Sequence, residues 1–96
     1  MDKRLLRALP LALTLALAGC MGEKSAPEHV ESAQKFLATN DLPSAVIELK
    51  SAVQLAPKDD SYRQMLADVY LRQGNLPSAE KEVLKAIELT GATDER

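Results

Sequence analysis

The chain is poor in the residues on which enzymes, metal centres and disulfide scaffolds depend. Its 96 residues include one cysteine, one histidine and no tryptophan, and its aromatic residues are one phenylalanine and two tyrosines. A single cysteine excludes a disulfide framework. One cysteine and one histidine cannot supply a metal-ligand cluster of the usual spacing. They also cannot supply a nucleophile with its base and orienting group. We therefore predict no cofactor and no metal site, and we do not expect an enzyme.

The chain also has no surplus of positive charge. Twelve Lys and Arg residues stand against fourteen Asp and Glu residues, which gives a formal net charge of −2. Without an amino-terminal segment that holds Asp2, Lys3, Arg4 and Arg7, 9 basic and 13 acidic residues remain, for a charge of −4. Nucleic-acid backbones are bound by clustered Lys and Arg. Nucleic acid is therefore not an expected partner.

The residues that are plentiful are strong helix formers. Ala, Leu, Glu, Lys and Gln dominate the chain, and β-branched residues are sparse. This composition predicts an all-α fold. A chain of this length buries a modest core, because the buried fraction of the surface falls as chains shorten, and it has room for one domain at most.

The first twenty residues have the layout of a secretory signal peptide. Lys3, Arg4 and Arg7 form a positive region, residues 5–18 are mostly apolar, and small residues follow. This order of regions is typical of export signals. The apolar stretch is shorter than the roughly 20 apolar residues that a membrane-spanning helix needs. A membrane-spanning anchor is therefore the weaker alternative.

The segment ends in Leu17, Ala18, Gly19 and Cys20, which resemble the lipobox of bacterial lipoproteins. The resemblance implies that a peptidase cuts before Cys20, that diacylglycerol is attached to its sulfur, and that the new amine is commonly acylated. Two or three acyl chains make a durable anchor, whereas a single chain binds a membrane only marginally. The alternative is an ordinary cysteine at the end of an uncleaved apolar segment.

The residue after Cys20 bears on the choice of membrane. In enterobacteria-like lipoproteins an Asp at this position causes retention in the inner membrane, whereas this chain has Met21. The resemblance therefore implies the outer membrane, with the protein facing the periplasm.

The remainder of the chain contains an internal repeat. The sequence LPSA of residues 42–45 recurs at residues 76–79, 34 positions later. The match extends at the same offset to further pairs: Ala33 with Ala67, Phe36 with Tyr70, Leu37 with Leu71, Glu48 with Glu82, and Ala52 with Ala86. The alanines would let two helices approach closely, with the aromatic residues beside the contact.

The period and the small-residue pattern resemble the tetratricopeptide repeat family over residues 26–93. The resemblance implies two tandem helix–turn–helix repeats, which form a short α-solenoid. The alternative is an unrelated bundle of amphipathic helices. The organisation then follows as a signal peptide at 1–19, a lipidated cysteine and tether at 20–26, repeats at 27–59 and 60–93, and a tail at 94–96.

Local signals place the helix ends. Ser25 and Glu28 form the pattern of a capping box, and Asp41 and Asn75 precede helices whose first turns contain proline. Gly91 is a natural carboxyl-terminal stop. We predict helices near residues 27–39, 42–55, 60–73 and 76–90.

Several charged residues receive a plain structural interpretation. The family's frequent aromatic residue early in the first helix is replaced by His29 and Arg63, and His29 is interpreted as a surface residue. Four carboxylates are interpreted as charges that favour helix N-termini: Asp59, Asp60, Glu80 and Glu82.

A narrower resemblance concerns residues 40–54, which read Asn-Asp-Leu-x-x-Ala-x-Ile-Glu-Leu-Lys-x-Ala-Val-Gln. Following a lipobox, this stretch resembles the start of the repeat lipoproteins that accompany exosortase, PEP-CTERM sorting and exopolysaccharide systems. Those proteins are longer and have many repeats, so the resemblance implies that this chain is a truncated or partial version of one.

By the family register, the first helix of each repeat lines a concave surface that docks protein partners. The nominated residues are Val30, Gln34, Leu37 and Ala38 in the first copy, and Gln64, Asp68, Leu71 and Arg72 in the second. Each has a plainer alternative. The leucines could complete the core, the polar residues could lie on a solvated face, and Asp68 could pair with Arg72 one helical turn away for about 0.2–0.5 kcal/mol.

Two functions are consistent with these patterns. The leading one is a protein-interaction adaptor, tethered in the cell envelope and involved in assembly or polysaccharide export. The alternative is a structural module that associates with itself, or a fragment without independent activity. Stable stacks usually need three repeats. An apolar strip is expected to stay partly uncovered at Ala79, Val83, Ala86, Ile87 and Leu89. We therefore expect soluble residues 21–96 to dimerise or to melt at low temperature.

Overall fold

A computed structural model describes residues 23–91, and these residues form four α-helices. Helix α1 spans Ala26–Ala38, α2 spans Leu42–Leu55, α3 spans Asp60–Arg72 and α4 spans Leu76–Thr90. Each helix packs against the next along the chain, so that α1 with α2 forms a first hairpin and α3 with α4 forms a second. The all-α prediction is confirmed, and every predicted helix end lies within one residue of the observed end.

Some predictions fall outside the described residues. They concern the signal peptide with Leu17, Ala18 and Gly19, the lipidation site Cys20, Met21, and the tail at 94–96. They stay predictions. Within residues 23–91, no helix has the length and apolar content needed to cross a bilayer.

The helices begin at the predicted caps. The side chain of Ser25 accepts a hydrogen bond from the Glu28 backbone N–H at 3.3 Å, and the Ser25 N–H donates to the Glu28 carboxylate at 2.8 Å. These two bonds complete the capping box. The hydrogen bond that the Ser25 backbone N–H donates to the carboxylate is the main cause that lowers the pKa of Glu28 below its ordinary value. Asp41 and Asn75 each accept a bond from the backbone N–H three residues further on. Asp59 caps α3 through the N–H of Ser61.

The turn inside each hairpin is built in the same way. Asn40 and Gly74, 34 residues apart, both have positive φ angles, of 61° and 77°. The N–H groups of the following residues, Asp41 and Asn75, donate to the carbonyl oxygens five positions earlier, both at 2.8 Å. Glycine adopts this left-handed conformation without steric cost, and asparagine tolerates it better than most residues. The sequence repeat is therefore also a repeat of backbone geometry.

Alanines lie where the helices approach most closely. Ala33, Ala45 and Ala52 have no exposed surface, and Ala67, Ala79 and Ala86 are each 3% exposed. The larger core residues are Leu49, Leu66 and Val69, which come from α2 and α3 and fill the space between the two hairpins. The core therefore joins both hairpins, chiefly through α2 and α3.

Candidate interaction surface

Each hairpin is bridged by a contact between a basic side chain and a glutamate at equivalent positions. Nδ1 of His29 on α1 lies 2.7 Å from Oε1 of Glu48 on α2. Nη1 of Arg63 on α3 lies 2.9 Å from Oε1 of Glu82 on α4. The basic residues are 34 positions apart, as are the glutamates, and 19 residues separate the partners in each pair. The two hairpins therefore share an electrostatic contact as well as a turn.

These pairs correct two interpretations from the sequence. His29 was expected on the surface, but 19% of its side chain is exposed and it contacts Glu48. Helix α4 has no acidic residue in its first turn, so the assignment of Glu80 and Glu82 to that turn is wrong. Glu82 is instead 8% exposed and paired. Asp59 and Asp60 do occupy the cap and the first turn of α3, as predicted.

The contact in the first hairpin affects the titration of its carboxylate. The hydrogen bond from His29 lowers the pKa of Glu48, and Lys24, whose Nζ lies 3.7 Å from the same carboxylate, lowers it further. Both interactions favour the charged form of the glutamate.

We expect this pair to make the fold sensitive to acid. Because the folded pKa of Glu48 lies below the ordinary value of 4.5, the contribution is fully present above about pH 4.5 and is lost as the pH falls through the lowered value. Urea unfolding followed by circular dichroism between pH 3 and 7 measures the loss. The variant Glu48→Gln should lose less stability over this range than the parent. Glu31→Gln, at an exposed position of α1, serves as the control and should behave as the parent. Equal acid sensitivity in the parent and Glu48→Gln contradicts the assignment.

Two adjoining grooves run across the hairpins. The inter-hairpin groove, of about 110 Å³, lies between α1 and α3 and includes five nominated residues: Val30, Gln34, Leu37, Asp68 and Arg72. The second groove, of about 310 Å³, lies along α3 and α4 and includes three: Gln64, Asp68 and Leu71. Asp68 lines both grooves, so the seven residues form one continuous surface. Ala38 lines neither.

The nominated residues differ in what they offer to a partner. Val30 is 9% exposed and belongs to the core, so it lies at the floor of the groove. Leu37 is half-buried against the core, whereas Leu71 is 51% exposed. The alternative interpretation, in which these leucines complete the core, therefore fits Leu37 better than Leu71.

The polar members of the surface are exposed. Gln34, Gln64, Asp68 and Arg72 all lie open to solvent. The amide of Gln64 donates to Asp60 at 2.8 Å. Among the described residues, Asp68 and Arg72 do not form the local ion pair that was the alternative interpretation of their spacing. Both side chains are therefore available at the rim of the inter-hairpin groove.

The described residues show no arrangement suited to metal binding. Within residues 23–91, no group of three or more His, Cys, Asp or Glu side chains could hold an ion. The surface offers an apolar floor with amide, carboxylate and guanidinium groups at its rim, a chemistry suited to docking a peptide or a helix.

No protein-family model, curated protein or solved structure matches the chain.

Proposed function

We propose that the chain is a lipid-anchored bacterial adaptor that uses two tandem tetratricopeptide-like hairpins to bind a protein partner in the inter-hairpin groove. The observation that carries the proposal is the 34-residue repetition of geometry. The positive-φ turn, the N-cap of the second helix and the cross-helix contact between a basic residue and a glutamate all recur at this offset. Repetition of this kind favours tandem units over an unrelated helical bundle.

The groove favours binding over catalysis. Its floor is apolar at Val30 and Leu49, and its rim carries the exposed side chains of Gln34, Asp68 and Arg72. We propose that the ligand is a peptide segment with one apolar anchor and hydrogen-bonding groups on either side. The anchor would bury apolar surface, and the rim residues would set its orientation.

The lipid anchor explains how a small groove suffices. Attachment through Cys20, which lies outside the described residues, would confine the adaptor to the periplasmic face of the outer membrane. Confinement raises the effective concentration of two partners and compensates for modest affinity. We propose a role in an envelope assembly, such as exopolysaccharide export or exosortase-associated sorting, on the strength of the motif at residues 40–54.

Site-specific photo-cross-linking in the host tests the groove. A benzophenone amino acid at Gln34, in the groove, should cross-link to a discrete partner, and adding Arg72→Glu should weaken the product. The matched control places the same amino acid at Gln54, which is exposed on α2 and lines neither groove. Equal products from both positions, or none from Gln34, contradict binding in the groove.

The intact mass of the protein from host membranes tests the anchor. We expect a chain that begins at Cys20 and carries two or three acyl chains. Cys20→Ser should remain unprocessed and lack the acyl mass, because the acceptor sulfur is gone. An unlipidated mass for the parent contradicts the lipid anchor. It does not bear on binding in the groove, which the cross-linking experiment tests separately.

Self-association is the alternative function, and one observation favours it. Several large apolar side chains of α4 are exposed: Leu76 at 63%, Val83 at 41%, Leu84 at 56% and Leu89 at 38%. Ala79 and Ala86, which the sequence placed in the same strip, are instead buried against α3.

A further inference from the structure

Helices α1 and α3 differ at the equivalent positions of one face. Helix α3 presents an apolar stripe toward the first hairpin, made of Tyr62, Met65, Leu66 and Val69. Leu66 and Val69 are each 2% exposed. The residues of α1 that lie 34 positions earlier are polar: Glu28, Glu31, Ser32 and Lys35. The α1 face therefore closes its end of the stack with a solvated surface.

Among residues 23–91, the opposite end of the stack has no such closure. In the first hairpin, Leu49 and Val53 of α2 are 1% and 8% exposed because α3 packs against them. Their counterparts on α4 are Val83 and Ile87. Val83 is 41% exposed and Ile87 is partly exposed. The surface that α3 covers on the first hairpin is therefore uncovered on the second, among the residues that the structure describes.

We call this uncovered surface the open face, and its shape is that of two joined depressions. The groove of about 310 Å³ is lined by Leu71, Val83, Ala86 and Ile87 among others. A neighbouring depression of about 620 Å³ shares Leu71 and Val83 and adds Leu76 and Leu84. The apolar surface thus continues along α4.

The charged residues that line the open face are acidic. Asp68 lines the first depression and Glu80 lines the second, and neither depression is lined by Lys or Arg. If two copies met through their open faces, the acidic groups of one would approach the acidic groups of the other. The α1 face of a second copy is polar and does not match the apolar depressions. Neither the open face nor the α1 face of a second copy is therefore a good partner for the open face.

We propose that the open face binds an amphipathic α-helix of another protein, which carries the α3 pattern of apolar residues at i, i+3, i+4 and i+7 with Lys or Arg beside it. The first hairpin shows how such a helix sits, because α3 covers the equivalent surface there. The proposal rests on the proposed adaptor function and adds the location and chemistry of a second docking site. In the inter-hairpin groove, α3 forms one of the two walls. The bound helix would form the corresponding wall of the groove along α3 and α4.

A peptide of residues 59–75, acetylated and amidated, is the first probe. Its binding is measured by fluorescence anisotropy to the full chain in lipid nanodiscs, with empty nanodiscs to subtract adsorption to lipid. We expect saturable binding, and tighter binding of a peptide with Asp60→Lys and Asp68→Lys, whose added charges meet the acidic rim. The control peptide carries Leu66→Ser and Val69→Ser, has the same charge as the first probe, and should not bind.

Two variants of the chain locate the site. Val83→Glu places a charge on the open face and should weaken peptide binding at least about tenfold. Ile47→Glu alters a residue that is 63% exposed on α2, outside both depressions, and should change binding less than about twofold. Equal binding of the control peptide, or an equal effect of both variants, overturns the proposal.

Copy-to-copy contact is tested in the same system. Leu84→Cys, on the open face, should form no disulfide between chains when two copies share a nanodisc. Efficient cross-linking makes a second copy the occupant and overturns the proposal. The proposal for the open face can fail while the adaptor function holds. Cross-linking from Gln34 in the inter-hairpin groove tests the adaptor function and does not depend on the open face.

Discussion

Replacing Leu49 by alanine is expected to lower the free energy of unfolding by about 2–5 kcal/mol. Leu49 is 1% exposed and lies in the core that joins the two hairpins. Its truncation removes apolar contacts and leaves a cavity that helix backbones can close only in part. At about 0.05–0.15 kcal/mol per residue, the described residues have a total stability of roughly 3–10 kcal/mol. The loss is therefore a large fraction of the total stability, and the thermal midpoint should fall clearly below that of the parent.

Thermal and urea unfolding monitored by circular dichroism check this expectation. Leu55→Ala is the matched control, since it makes the same chemical change in α2 at a residue that is 56% exposed. Its stability should stay within about 0.5 kcal/mol of the parent. Similar losses for Leu49→Ala and Leu55→Ala are incompatible with the described core.

Replacing Arg63 by methionine is expected to cost about 3 kcal/mol, near the lower end of the range for breaking a buried ion pair. The Arg63 side chain is 18% exposed and that of Glu82 is 10% exposed, so little solvent reaches the carboxylate that is left behind. The loss arises from this uncompensated charge more than from the lost attraction. The pair itself contributes little net stability, because burying both charges is also costly.

The double variant Arg63→Met, Glu82→Leu separates these two effects. It removes both charges, and it also removes Nε of Arg63, which is buried without a hydrogen-bond partner among the described residues. Its stability is expected to lie within about 1 kcal/mol of the parent, because well-packed apolar residues can replace a buried ion pair. Chemical denaturation of the parent, both single variants and the double variant gives the coupling energy. If the double variant loses as much as the sum of the single variants, the two side chains are not coupled.

The helices and their ends were predictable because the signals are local. The capping box of Ser25 and Glu28, and the caps at Asp41 and Asn75, lie within three residues of the backbone groups that they satisfy. Gly91 adopts the left-handed conformation expected of a helix stop. Such contacts depend on neighbouring residues alone, so sequence spacing is sufficient to find them.

The contacts between helices were harder to predict. The pairing of His29 with Glu48 depends on how α1 and α2 are rotated about their axes, which the sequence of either helix does not determine. The comparison of the two copies did contain a signal, because a basic residue and a glutamate recur 19 residues apart in both.

The exposure of the surface residues was also hard to predict from the sequence. The repeat register grouped Gln34, Asp68 and Arg72, and all three line one groove in the structure. It did not distinguish the buried Val30 from exposed neighbours, because burial there depends on how closely α3 packs. Binding by these residues stays a prediction that cross-linking tests.

The contrast between the polar face of α1 and the open face has a consequence for how such a gene evolves. An in-frame tandem duplication of residues 58–91 would bury the existing open face beneath a new α3-like helix and create an identical open face beyond it. The polar first helix would stay unchanged as a fixed terminator. Hairpins could therefore be gained or lost in whole units of 34 residues at one end, without any accompanying change at the other.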